Sequence, residues 1–230
     1  MNELFSIKYD DPRLDLYVNN TYRVLNDIII QTNSKKYEIS LYLDSSMNES
    51  TYGLASWYDQ QIILNENATD SIVTLNDVEY PILSLVLIHE ILHIFGLVGL
   101  GLYGFIYIRG EHDIPPNVYT GNHGVAQYKN VLRENKLNVD NIHYLPIEND
   151  FEEGTVRTHL EEGKDDEYKP EKRYINDVHY PVITNEIMTG FINRHNYFTP
   201  ITLGILEDLG FVVNYESIYV TSIGEHLHIL

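Results

Sequence analysis

The chain contains no cysteine. Disulfide staples, thiol nucleophiles and thiolate-ligated zinc are therefore excluded, and the redox state of the compartment leaves no mark on the sequence. Bases are scarce: 15 Lys and Arg stand against 34 Asp and Glu, a formal net charge of −19. Such a chain repels phosphate and anionic headgroups, which argues against nucleic acid and against a membrane surface as partners. A membrane-spanning run is also missing, because the longest apolar stretch, residues 82–108, is broken by Ser84, His89, Glu90 and His93. Residues 1–5 have neither the basic nor the apolar region of a secretory signal, so the expected location is the cytoplasm or a larger particle such as a virion. Repeats, low-complexity tracts and linkers rich in Pro, Gly or Ser are not seen. What is present, 43% apolar and 21% charged residues over 230 positions, is ordinary for a globular protein able to bury a core without staples.

Along the chain, residues 5–9 read as a short strand. Asp10 or Asp11 caps a helix expected from Pro12 to about Gln31. Residues 37–43 alternate apolar and polar side chains like a half-buried strand, and 52–58 and 61–65 read as two more, separated by Asp59 and Gln60. Residues 66–79 read as a polar loop. Pro81 opens a strongly apolar helix over 82–95, with Gly96 where a C-terminal stop is expected. Beyond it the pattern thins to a helix over 122–134, a second helix over 199–209 stopped by Gly210, and a strand at 211–215. Residues 148–173 hold ten acids and five bases and are expected to lie in solvent. Their carboxylates are of the kind calcium takes, but they lack EF-hand spacing. The expected fold class is α+β: a twisted mixed sheet with two helices over 1–96, then an irregular part over 97–230, together one domain.

One motif carries chemistry. His89-Glu90-Ile91-Leu92-His93 fits H-E-x-x-H. Residues four apart on a helix differ by about 40° in azimuth, so both imidazoles face one point. A glutamate directly after the first His can reach a water held there, and a carboxylate can take the proton of a water acidified by zinc. With 10 His and 19 Glu in 230 residues, chance supplies roughly 0.035 such matches, and roughly 0.002 when a glycine seven residues after the first His, here Gly96, is also required. Two ligands leave the site incomplete, and Gly99 stands where a short metzincin pattern has its third His.

Further segments complete the comparison. Tyr119-Thr120-Gly121 followed by Ala126-Gln127-Tyr128, then Leu145-Pro146-Ile147-Glu148-Asn149, then Thr158-His159-Leu160-Glu161-Glu162, and then Asn185-Glu186-Ile187-Met188-Thr189-Gly190 occur in that order. In these motifs, over residues 82–215, the chain resembles the leishmanolysin-type metzincins, zinc peptidases in which a long insertion separates the glycine turn from the third His. The resemblance implies a metzincin-like zincin fold with a Met-turn and a C-terminal helix. It implies His89, His93 and His159 as ligands of one Zn2+, Glu90 as general base and Met188 as the Met-turn methionine. Leu160 replaces the family's usual aromatic, and residues 164–183 read as an insertion; His179 within it stays open as the alternative third ligand.

The implied activity is that of a zinc metalloendopeptidase acting on a protein or peptide substrate. The substrate is expected to lie extended along a sheet edge at 52–57, touching Gly53, Leu54 and Ala55, with Phe191 and Ile192 lining the pocket for the side chain after the cut. A second reading is a structural or assembly component of a larger particle, with other subunits as partners, built on the same module.

Overall fold

In the computed structural model, which describes residues 5–31, 35–68, 71–97, 106–107, 114–149, 155–162 and 173–221, local chemistry accounts for most of the first half. Strand β1 (Phe5–Lys8) leads to a 3-10 turn at Pro12–Leu14, where Asp11 Oδ1 accepts the Arg13 amide at 2.9 Å. Helix α1 (Asp15–Ile28) follows and passes directly into β2 (Ile29–Gln31). The helix therefore ends three residues before Gln31. Residues 28–30 are all isoleucine, a β-branched run that disfavours helix, and Ile29 takes an extended backbone with φ −105° and ψ 111°.

Strands β3 (Tyr37–Asp44), β4 (Gly53–Ser56) and β5 (Gln61–Asn65) join β1 in a sheet of order β1-β3-β5-β4. β1, β3 and β5 run parallel, and β4 lies antiparallel along the β5 edge. Tyr37, Ile39 and Leu41 are buried while Glu38 and Tyr42 face solvent, the period-two pattern of a sheet with one covered face.

Residues 66–79 are not a polar loop. After a 3-10 turn at Glu66–Ala68 they form a hairpin of β6 (Ile72–Leu75) and β7 (Val78–Pro81). Its turn is Asn76-Asp77, with φ 48° and 64°, the left-handed pair that two-residue hairpin loops favour. Helix α2 (Ile82–Leu92) is buried at every position, which marks a core helix, and it packs against α1 and against β4 and β5. It stops sooner than Phe95: residues His93–Leu97 widen into a π-type turn that closes at Gly96, whose φ of 130° suits glycine.

In the second half, β8 (Ile106–Tyr107), β9 (Val118–Tyr119) and β10 (Leu145–Pro146) form a small antiparallel sheet around α3 (Asn122–Glu134). A hairpin follows, β11 (Arg173–Ile175) and β12 (Val178–Tyr180), closed by Asn176-Asp177 with φ 50° and 64°, the same dipeptide in the same geometry as the first. Strand β13 (His195–Asn196) runs parallel to β6. Helix α4 (Pro200–Asp208) is capped by Thr199 Oγ1, which accepts the Ile201 amide at 3.2 Å, and it packs on α3. Strand β14 (Val212–Val213) pairs with β2. Strands from 97–230 thus complete sheets begun in 1–96, around one continuous apolar core. The fold is α+β. Among the described residues no helix is long and apolar enough to cross a membrane.

Candidate metal centre

Helix α2 sets two imidazoles one turn apart in the core, and an extended segment brings the third. His159 lies 66 residues beyond His93, so helix spacing cannot place it. Backbone bonding does. The Glu148 amide donates to His159 O at 3.0 Å, and the Leu160 amide donates to Met188 O at 3.0 Å. Leu160 bridges Ile147 on one side and Thr189 on the other. Residues 159–160 are thereby held between the end of β10 and residues 188–189. His89 Nε2 and His159 Nε2 end 3.0 Å apart, and His93 Nε2 and His159 Nε2 3.1 Å apart, with all three side chains buried.

The outer nitrogens define the tautomers. His89 Nδ1 stands 2.6 Å from Ile187 O, and His159 Nδ1 stands 2.8 Å from Thr155 O. A carbonyl only accepts, so both Nδ1 atoms carry hydrogen and both Nε2 atoms turn bare lone pairs toward each other. Burial holds these rings neutral: the pKa of His89 is pushed down to about 4, that of His159 to about 3, and that of His93 well below its ordinary value. Two lone pairs 3.0 Å apart in a dry interior repel unless a positive centre sits between them. Nitrogen ligands at 2.0–2.1 Å from a tetrahedral ion stand about 3.3 Å apart, close to the separations present. Among the described residues these three histidines form the one group of His, Cys, Asp or Glu with ligand atoms all within 4.8 Å of one another, and they are compatible with a metal ion.

The turn that carries Met188 is pinned from behind. Glu186 is fully buried; its Oε1 accepts from Thr199 Oγ1 at 3.0 Å, from Thr202 Oγ1 at 2.6 Å and from the Thr199 amide at 3.4 Å, while Oε2 accepts the Met188 amide. Burial pushes its pKa up to about 7 against the pull of these donors. Met188 is buried, one residue after the carbonyl that orients His89. Sequence reasoning singled out Met188 but not Glu186; the Thr199 cap and Thr202, one turn along α4, are the signal it overlooked.

Glu90 lies between α2 and the sheet edge. A β-carbon on Gly53 would stand 2.8 Å from Glu90 Oε1, so the carboxylate lies directly against β4. Burial raises its pKa to about 8. Of the residues expected to meet substrate, Gly53, Leu54 and Ala55 form this edge strand, with Leu54 exposed. Phe191, three residues after Met188, is 48% exposed, and Ile192 packs partly against the core. His179 sits on β12, its ring 5.4 Å from that of Tyr174, outside the histidine group.

The acidic stretch departs from expectation. Glu148, Glu161 and Glu162 are buried, not solvated, because they flank the segment that delivers His159. Burial, followed by the nearby Glu148 charge, pushes the pKa of Glu162 up to about 8. Among the described residues these carboxylates form no convergent group of the kind calcium needs. The rest of the stretch, residues 150–154 and 163–172, lies outside the described residues. A scan against protein-family models finds no match to this chain, and a search of curated proteins finds none.

Proposed function

We propose that the chain is a zinc-dependent endopeptidase with a metzincin-type catalytic domain, similar to the leishmanolysins. One observation carries the reading: three buried imidazoles bring their ligand nitrogens within 4.8 Å of one another, and the buried Glu90 directly follows the first of them on α2. Three neutral imidazoles are a ligand set that suits zinc and leaves a coordination position open. Zinc, when bound, supplies a Lewis acid that polarises the scissile carbonyl and acidifies a water.

The chain's own residues do the rest. The Asn65 amide donates to Tyr52 O at 2.9 Å, so Tyr52 and Asn65 are a hydrogen-bonded pair of the β4–β5 ladder. By the alternation of antiparallel strands, Gly53 and Ala55 turn their amide and carbonyl groups outward, to the open edge. An extended peptide pairs with those groups. Glu90 takes a proton from the attacking water on a carboxylate oxygen and returns it to the leaving amide nitrogen. Phe191 and Ile192, after the Met-turn, line the pocket for the side chain that follows the cut.

The test is zinc content together with casein digestion for wild type and Glu90→Gln. One zinc per chain in both proteins, with digestion reduced by about 10²–10⁴-fold in the variant, supports the reading. Equal digestion by the two proteins, or a wild type that takes up no zinc, overturns it.

A further inference from the structure

The three imidazoles share one centre, but their outer nitrogens are not held alike. His89 Nδ1 meets Ile187 O at 2.6 Å and His159 Nδ1 meets Thr155 O at 2.8 Å, whereas His93 Nδ1 is buried with no hydrogen-bond partner among the described residues. Thr155 O closes a short turn. It accepts from Thr158 Oγ1 at 3.2 Å and from the Thr158 amide at 3.4 Å. Thr158 Oγ1 also stands 2.9 Å from His159 Nδ1. The Nδ1 hydrogen thus lies between a carbonyl and a hydroxyl oxygen, and the hydrogen of that hydroxyl goes to the same carbonyl.

This short turn packs against the turn around Met188. A β-carbon on Gly190 would stand 2.0 Å from Thr155 Cγ2 and 3.3 Å from Thr155 Cβ. The Thr155 methyl therefore fills the notch that a missing side chain leaves at residue 190. The Gly190 backbone is not left-handed, unlike that of Gly96 or Gly210, so glycine is needed there for space alone.

We propose that Thr155 and Gly190 are positioning residues of the metal centre: Thr155, seated in the Gly190 notch, sets the carbonyl that fixes the hydrogen of His159 on Nδ1. One turn, residues 187–190, then orients two imidazoles, His89 through Ile187 O and His159 through Thr155. The proposal rests on the zinc site of the peptidase reading. Threonine is β-branched and stiff about χ1, so a methyl at residue 190 pushes on the residue as a whole and its carbonyl moves with it. An imidazole that loses its outer acceptor is free to turn and to carry its hydrogen on Nε2, the atom that must stay bare to bind a metal.

The double variant Thr155→Ser, Gly190→Ala moves the methyl across the contact and conserves volume. The atoms nearest the new β-carbon are then Cβ of residue 155 at 3.3 Å and Glu162 Oε1 at 3.4 Å. Zinc affinity is read by chelator competition on wild type, both single variants and the double variant. The expected loss is about tenfold or more in Gly190→Ala. Thr155→Ser and the double variant are expected to stay within about threefold of wild type. An unchanged affinity in Gly190→Ala, or a loss that Thr155→Ser does not recover, overturns the proposal.

Nitrogen-15 NMR of the His159 ring in the metal-free proteins gives a readout that does not depend on zinc. Wild type and the double variant are expected to hold the hydrogen on Nδ1, slow to exchange with solvent, and Gly190→Ala is expected to lose it. If Gly190→Ala does not fold, the double variant carries both readouts, and weakened zinc binding or an Nε2-bound hydrogen in it overturns the proposal. A wild type that takes up no zinc, yet shows the Nδ1 hydrogen lost in Gly190→Ala and regained in the double variant, removes the zinc reading and leaves the positioning role standing. Zinc uptake with the same ring signal in all three proteins does the reverse.

Discussion

Gly53 of β4 and Glu90 of α2 meet so closely that no β-carbon fits between them: one on residue 53 would stand 2.8 Å from Glu90 Oε1 and 2.5 Å from Val86 Cγ1. The spacing between edge strand β4 and the helix that holds the carboxylate is therefore set by one glycine. Gly53→Ala forces them apart. Overpacking of this kind costs about 1–3 kcal/mol, and a shift of about 1 Å in a reacting group costs about 10²-fold in rate. The expected outcome is a large loss of casein digestion with zinc content unchanged, because the atoms nearest that β-carbon belong to Val86 and Glu90 and not to an imidazole. Thermal denaturation and elemental analysis on the same sample check both halves.

Metal removal acts through the lone pairs of His89 and His159, 3.0 Å apart. An ion that binds only the folded state at about a hundred times its Kd adds about 2.7 kcal/mol. For a chain of this length each kcal/mol moves Tm by about 2–4 °C, so a strong chelator is expected to lower Tm by about 5–11 °C and added zinc to restore it. His159→Ala is expected to lose that response to zinc. A chelator-insensitive Tm in wild type would show that nothing occupies the space between the rings.

Glu186 receives four donors and offers none, so it is built for a carboxylate. Glu186→Gln keeps the shape but turns an amino group toward hydroxyls or an amide. The expected loss is about 2–4 kcal/mol of stability, from hydrogen bonds to a charged group worth about 1.5–3 kcal/mol each. Zinc affinity is expected to fall about 10–100-fold, because Ile187 O, which orients His89, sits on the turn that Glu186 pins. Thr202→Val removes one donor from the far side and is expected to lower stability by about 1 kcal/mol with zinc affinity unchanged. Denaturant titration and chelator competition on both variants separate a general loss of stability from the effect on the ligand.

Elements with local causes were legible. Helix α3 begins and ends where its pattern predicts, and Thr199 with Pro200 opens α4. Caps and apolar periodicity act over a few residues, so they can be read from a few residues. The hairpin of β6 and β7 was not legible, because four-residue strands hold too little alternation to stand out from a polar loop. Its only marker was Asn76-Asp77, the turn that recurs at Asn176-Asp177. The acidic stretch misled for a related reason: composition counts the charges of Glu148, Glu161 and Glu162 but not the partners that allow them to be buried.

By itself the sequence determined the helical half of the centre. His89 on α2 and His93 at its C-cap, four residues on and still helical in backbone, turn to one side whatever the helix packs against, because residues four apart differ by about 40°, and Glu90 follows His89 directly. Gly96 ends that helix for an equally local reason, a backbone angle of 130° that suits a residue without a β-carbon. The tertiary structure alone decided which histidine meets that pair. His159 arrives through the pairings of the next residue, Leu160, to Ile147 and Thr189, whereas His179, closer in sequence to Met188, is held away on β12. Loop closure and backbone hydrogen bonding between distant segments place such a residue, and neither leaves a period or a spacing in the chain to be read.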